Sequence, residues 1–167
     1  AMLHKVVGDE FRILLVGDGT NRGELTSLAS RLGIADIVSF TGSQPHERIQ
    51  AFYSLMDIMV FPRKGHTVCE VVSPLKPFEA MATGKAVVAS DVRALAEIVR
   101  HNETGLLHRK DDVDSLREQL EAYLSQPNLR ARLARQGQDW VTQHRSWSAI
   151  SDKVGAVYRE LIGTCSQ

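Results

Sequence analysis

A lysine and a glutamate, Lys76 and Glu79, stand one helical turn apart in the stretch Pro74-Leu75-Lys76-Pro77-Phe78-Glu79. Pro77 suits the first helical position, where its missing N–H would have no partner in any case. A residue before proline avoids helical dihedrals, which puts Lys76 at the boundary between loop and helix. A helix start offers unpaired backbone N–H groups and the positive end of the helix dipole. Together with a cation it suits an anion, phosphate above all. Glu79, one turn inside, would repel a phosphate but accepts hydrogen bonds from sugar hydroxyls beside it. The other reading of Lys76 is an exposed lysine at a helix start, which the dipole disfavours unless an anion is present.

The elements that position this pair follow from the pattern around it. Phe78, Ala80, Met81 and Ala82 give the helix small and apolar contact surface, and Gly84 supplies a left-handed stop. Ala86-Val87-Val88-Ala89 is the short apolar run of a strand covered on both faces. Upstream, residues 1–7 read as the end of a helix, followed by a turn at Gly8-Asp9. Residues 11–16 then read as a strand that Gly17-Asp18-Gly19 turns into a helix over residues 22–32. In that helix Leu25, Leu28, Ala29 and Leu32 share a face, and Gly33 ends it. The Gly-Asp-Gly turn lacks the G-x-G-x-x-G spacing of a dinucleotide fingerprint. It is either a close backbone approach to a ligand or a turn that needs glycine.

A second strand is expected over residues 37–40. After Thr41-Gly42-Ser43, Pro45 opens a helix with Ile49, Phe52, Tyr53 and Leu55 on its core side. Residues 57–61 make a third strand, and residues 63–73 begin as a polar, structureless loop. Arg63, Lys64 and His66 there face a ligand or form a solvated charged run. His66 has no second metal ligand at a suitable spacing. Leu95, Ile98 and Val99 make a short helix with Glu97 on its open side, and residues 105–108 the last strand. Asp111 or Asp112 caps a helix in which Val113, Leu116, Leu120 and Leu124 recur. Two more amphipathic helices cover residues 129–140 and 147–162. Trp140, Trp147 and Tyr158 read as core or interdomain packing rather than stacking platforms. Alternating strands and helices imply an α/β, three-layer, Rossmann-like domain with a mostly parallel sheet of about five strands.

Composition fits one ordinary domain: 167 residues, 43% hydrophobic and 24% charged. Twenty Lys and Arg balance twenty Asp and Glu, so no basic field argues for nucleic acid or an anionic membrane. Cys69 and Cys165 make neither a metal spacing nor a disulfide framework, which suits a reducing compartment. With no apolar run of transmembrane length and no signal peptide in view, a cytoplasmic location is expected.

The segment Pro74-Leu75-Lys76-Pro77-Phe78-Glu79-Ala80-Met81-Ala82-Thr83-Gly84-Lys85-Ala86-Val87-Val88-Ala89-Ser90-Asp91 resembles the signature of the C-terminal, donor-binding domain of retaining GT-B glycosyltransferases, of the group 1, family 4 type. The pattern there is roughly E-G-F-G-L-x-x-x-E-A-M-A-x-G-x-P-V-V-x-S. Four further pieces match in order: L-L-V-G-D-G from Leu14, V-S-F-T-G from Val38, D-I-M-V-F-P from Asp57 and N-E-T-G-L-L from Asn102. Together they span residues 14–107, a little over half of the chain.

The resemblance implies a donor substrate, a UDP-, GDP- or ADP-sugar, with no separate cofactor and no metal for the diphosphate. Gly17 and Gly19 would lie close to the donor, and Gly42 and Ser43 beside the nucleobase, read mainly through backbone groups. Ser73, Pro74, Leu75 and Lys76 would meet the diphosphate, and Glu79 the ribose. Aligned without a gap on Glu79, the first glutamate of the paired motif falls on Val71, and the nearest carboxylate is Glu70, giving E-x8-E. The role beside the transferred sugar is therefore carried to Glu70. Val72, Ser73 and Pro74 replace the glycines of G-F-G, which stiffens this loop, and Arg93 and Ala94 replace glycines often found after Asp91.

The family also implies a strand and an Arg/Lys segment upstream. Residues 1–167 are therefore expected to be one nucleotide-sugar-binding domain of a two-domain enzyme, inactive alone, with residues 147–163 crossing back to an N-terminal acceptor domain of the same parent chain. The acceptor would be a sugar, a lipid-linked sugar or a small molecule. Peripheral attachment at an inner membrane could come through that other domain. The other classes consistent with the sequence are a GT-B nucleotide-sugar epimerase or phosphorylase, and a non-catalytic module that binds a nucleotide sugar or a partner.

Overall fold

Every residue of Ala86–Ser90 is buried, so this strand, β4, must be covered on both faces and both edges. The computed structural model describes residues 1–8 and 10–164, which leaves Asp9 of the Gly8-Asp9 turn and Cys165 outside the described residues. In it β4 pairs in parallel with β3 (Ile58–Phe61) on one edge and β5 (Leu106–His108) on the other. Parallel pairing forces a crossover through a helix. The connections carry α5 (Lys76–Ala82) between β3 and β4 and α6 (Arg93–Ala96) between β4 and β5. Residues 63–66, the start of the loop before α5, form neither helix nor strand, as expected, and a short helix, α4 (Thr67–Val71), follows them.

The remaining strands, β1 (Ile13–Val16) and β2 (Val38–Gly42), pair in parallel with each other around α2 (Arg22–Arg31). The five parallel strands thus form two hydrogen-bonded sheets, β1-β2 and β3-β4-β5. Before β1 stands α1 (Met2–Val7), and α3 (Ile49–Leu55) leads from β2 towards β3. The chain ends in α7 (Val113–Ser125), α8 (Pro127–Arg145) and α9 (Trp147–Thr164).

The core sits around β4. One face holds Met59, Met81, Val87, Ala89, Leu95, Val99 and Val141, and the other holds Ala86, Val88, Leu106, Tyr123 and Leu133. Sequence pattern and structure part company where apolar residues lack cover. Leu25, Leu28 and Leu32 of the α2 stripe are exposed and only Ala29 is buried, because among the described residues no layer lies against that face. Leu55, expected on the core side of α3, is 73% exposed at the helix end. Trp140 packs against the core, with the guanidinium groups of Arg100 and Arg145 5.5 and 5.6 Å from its ring. Trp147 and Tyr158 lie on the open side of α9. Of the two possible caps for α7, Asp112 does the work, accepting from the Ser115 N–H at 2.8 Å.

Candidate functional site

The loops at the carboxyl ends of parallel strands are where such sheets bind ligands. Here those ends carry most of the residues singled out above, in two groups.

The first group belongs to β1 and β2. The Gly17 N–H donates to the Gly42 carbonyl at 3.0 Å, which joins the two turns. Gly17 has φ 133° and the buried Gly42 has φ 70°, dihedrals that a side chain strains, so both turns need glycine for backbone reasons alone. The Gly19 N–H is taken by Asp18 Oδ1 at 2.8 Å, and Asp18 pairs with Arg22 at 3.2 Å. Leu15, Gly17, Gly19, Leu25 and Phe40 line a cleft of about 240 Å³ beside this pair. Ser43 is exposed beyond Gly42, and Gln44 Nε2 donates back to the Thr41 carbonyl.

The second group surrounds the start of α5. Lys76 opens the helix with Pro77 buried behind it. Ser73, Leu75 and Lys76 are exposed and Pro74 is half-buried, and among the described residues Lys76 has no ion-pair partner. Glu79 lies one turn further on, exposed, and its Oε2 accepts a hydrogen bond from the Tyr53 hydroxyl at 2.7 Å. Tyr53 is 7% exposed. Burial first, then the bond to Glu79 and its charge, push the phenol up to about 12. The sequence marked Tyr53 only as an apolar face residue; the signal for more was that a buried tyrosine needs a partner for its hydroxyl.

Glu70 is engaged elsewhere. Its Oε2 accepts from the Arg93 N–H at 2.7 Å, at the start of α6, and its Oε1 accepts from Lys110 Nζ at 2.5 Å. Lys110, and next the Arg93 N–H, hold the Glu70 carboxyl below the usual carboxylate range, while Glu70 raises Lys110. The same clasp continues outward. The Lys110 N–H donates to Asp91, the Gly65 N–H donates to Asp111, and Arg63 Nη1 donates to the Val72 carbonyl at 2.7 Å. Arg63 is therefore a strut beneath the loop between α4 and α5.

Among the described residues no hydrogen bond or ion pair joins the two groups, which sit on separate sheets. None of their side chains makes a metal cluster, since no group of three or more His, Cys, Asp or Glu is placed to hold an ion among the described residues. Nor is any described helix long and apolar enough to cross a membrane.

Glycine turns, a lysine and a hydrogen-bonded glutamate thus stand at the strand ends of this parallel α/β fold. Residues 1–140 match the glycosyl transferases group 1 family, and the chain belongs to it. It is 27% identical over 154 residues to an alpha-D-kanosaminyltransferase from Streptomyces kanamyceticus, covering 92% of this chain and 39% of that protein. It is 28% identical over 153 residues to a GDP-mannose-dependent alpha-(1-6)-phosphatidylinositol monomannoside mannosyltransferase from Mycobacterium tuberculosis, covering 90% of this chain and 40% of that protein. In structure it matches sucrose-phosphate synthase from Thermosynechococcus elongatus with a TM-score of 0.76 at 28% identity, over 97% of this chain and 42% of that one. The chain thus spans about two fifths of the length of these relatives.

Proposed function

We propose that this chain is the donor-binding domain of a retaining glycosyltransferase that moves a sugar from a nucleoside diphosphate to an acceptor hydroxyl. The observation that carries the reading is the pair at the start of α5: a lysine with no acidic partner among the described residues, next to a glutamate fixed by a tyrosine. An unpaired ammonium suits the diphosphate, and a fixed carboxylate suits the ribose hydroxyls. As the glycosidic bond breaks, negative charge grows on the departing diphosphate. Lys76 and the N–H groups around Leu75 would offset it from fixed positions. Gly17 and Gly19 leave room for the donor, and Gly42 and Ser43 would meet the base through their backbone.

The acceptor groups would come from an N-terminal domain of the same parent chain. The open face of α9 supports this: Trp147, Ile150, Val154, Val157, Tyr158 and Leu161 recur at helical spacing and are all exposed. A sugar, lipid-linked or small-molecule acceptor would bind between the two.

A second reading rests on Glu70. With both oxygens taken by Arg93 and Lys110, and Val71 at the usual glutamate position, the chain would bind donor without transferring sugar.

The test is calorimetry on the intact protein that contains this chain, with UDP, GDP, ADP and their parent nucleosides. One diphosphate should bind, and Lys76→Ala should weaken it about tenfold while leaving the nucleoside unchanged. No diphosphate binding by the folded intact protein would sink the donor reading. Binding without turnover of any nucleotide sugar would favour the non-catalytic one.

A further inference from the structure

We propose that Tyr53 is a positioning residue for donor recognition, its hydroxyl fixing one oxygen of Glu79 so that the carboxylate's remaining acceptor sites face the ribose hydroxyls. This rests on the donor-binding reading above and adds to it the residue that sets the ribose contact.

The two residues are 26 apart in sequence and sit on different helices, α3 and α5. The ring of Tyr53 belongs to the same buried cluster as Met59, Ala80 and Met81, so its position is that of the core. Only its oxygen reaches outward, 2.7 Å from Glu79 Oε2. Glu79 itself is exposed, and a free exposed glutamate would sample several rotamers. Among the described residues Tyr53 is the one donor to its carboxylate.

A carboxylate has about four acceptor sites on its two oxygens, and the phenol occupies one. The others remain for a cis-diol, which brings two hydroxyl donors at once. Tyr53 stays a donor throughout the neutral range because its phenol ionises only at about 12. The arrangement places a contact group on the surface and its support in the core, which is how a binding geometry is held to a few tenths of an ångström. Tyr53 touches no ligand in this scheme; it acts through Glu79.

A bond that merely ties α3 to α5 would look the same in the structure, so the test must read ligand as well as stability. On the intact protein, UDP, GDP and ADP are titrated, and the tightest is compared with its 2′-deoxy and 3′-deoxy forms. Four proteins are used: wild type, Tyr53→Phe, Glu79→Ala and the double variant. Tyr53→Phe keeps the ring in the core and removes only the hydroxyl.

The expected result is a rise of about five- to tenfold in Kd for the ribonucleotide with Tyr53→Phe, a smaller rise for a deoxy form, and hence a reduced preference for ribose. In the Glu79→Ala background Tyr53→Phe should change nothing further. Wild-type affinity and ribose preference in Tyr53→Phe, beside a clear loss in Glu79→Ala, would overturn the inference and leave the donor reading standing. Additive losses in the double variant would overturn it equally, as two independent effects. If Glu79→Ala binds as well as wild type, the ribose role of Glu79 fails and the inference fails with it.

Discussion

Gly105 is the glycine of the Asn-Glu-Thr-Gly-Leu-Leu piece, and replacing it with alanine should cost stability by a route that the structure makes explicit. Its backbone conformation is one that alanine adopts, so the cost is steric. A Cβ there would lie 2.7 Å from Val99 Cγ1 and 2.8 Å from the Val87 carbonyl oxygen. Val99 is fully buried, with a stiff β-branched side chain. Val87 belongs to β4, which is paired on both edges, and its carbonyl already accepts the buried Tyr123 hydroxyl at 3.2 Å. Neither neighbour can move alone. Overpacking of this kind costs about 1–3 kcal/mol, and loosening the Tyr123 bond adds about 1 kcal/mol. For a domain of this size a loss of about 2–4 kcal/mol lowers Tm by roughly 5–15 °C. The assay is thermal and urea unfolding followed by circular dichroism, with two companions. Gly23→Ala in α2, where a Cβ meets nothing within 4 Å, should be neutral or stabilise by about 0.5–1 kcal/mol. Tyr123→Phe should cost about 1 kcal/mol. Because Gly105→Ala and Tyr123→Phe act on the same carbonyl, the double variant should lose less than the sum of the two. Unchanged Tm in Gly105→Ala would refute the steric argument, and strict additivity would refute the shared carbonyl.

Two further outcomes follow from surface features. The folded Glu70 carboxyl sits below its ordinary range, so its pairing stabilises the chain above that range and the benefit is lost as pH falls through the lowered value. Lys110→Ala should therefore lower Tm at about pH 7 and converge with wild type once the pH has fallen below the lowered Glu70 value, or in high salt; an equal gap under all conditions would refute the clasp. On α9, Val154→Ser and Val157→Ser replace side chains that are 48% and 56% exposed. In this chain alone they should leave Tm nearly unchanged, within about 0.5 kcal/mol, and reduce self-association by light scattering. A large loss of Tm would mean that the face is already covered.

The strands were legible because their signals are local. Ile13 to Val16, Ile58 to Phe61 and Ala86 to Ala89 are short apolar runs bounded by glycine, proline or aspartate, and each became a parallel strand within a residue or two of its expected ends. Pro77 and Gly84 likewise bracketed α5 through backbone preferences that need no partner. What pattern could not reveal was cover. Leu25, Leu28 and Leu32 carry the spacing of a core stripe, yet periodicity states only that residues share a face, not that anything lies against it. For the same reason the grouping of the strands into two sheets was out of reach, since pairing is a long-range property.

The candidate site divides along the same line. Lys76 and Glu79 could be placed because one helix start fixes both. Tyr53 and Lys110 could not, because they reach Glu79 and Glu70 from 26 and 40 residues away. The one-residue slip of the glutamate shows how much this matters. Had residues 63–73 been an open loop, a bulge could have returned Glu70 to the place of a glutamate at 71. Thr67–Val71 is instead helical, and neighbouring residues on a helix point about 100° apart. Val71 faces outward, 70% exposed, while Glu70 turns to the Arg93 N–H and Lys110. A carboxylate moved by one position in a helix is thus re-aimed rather than shifted. Glu70 could turn away only by giving up both partners, whereas the exposed Glu79 carboxylate, bonded among the described residues to Tyr53 alone, keeps further acceptor sites open.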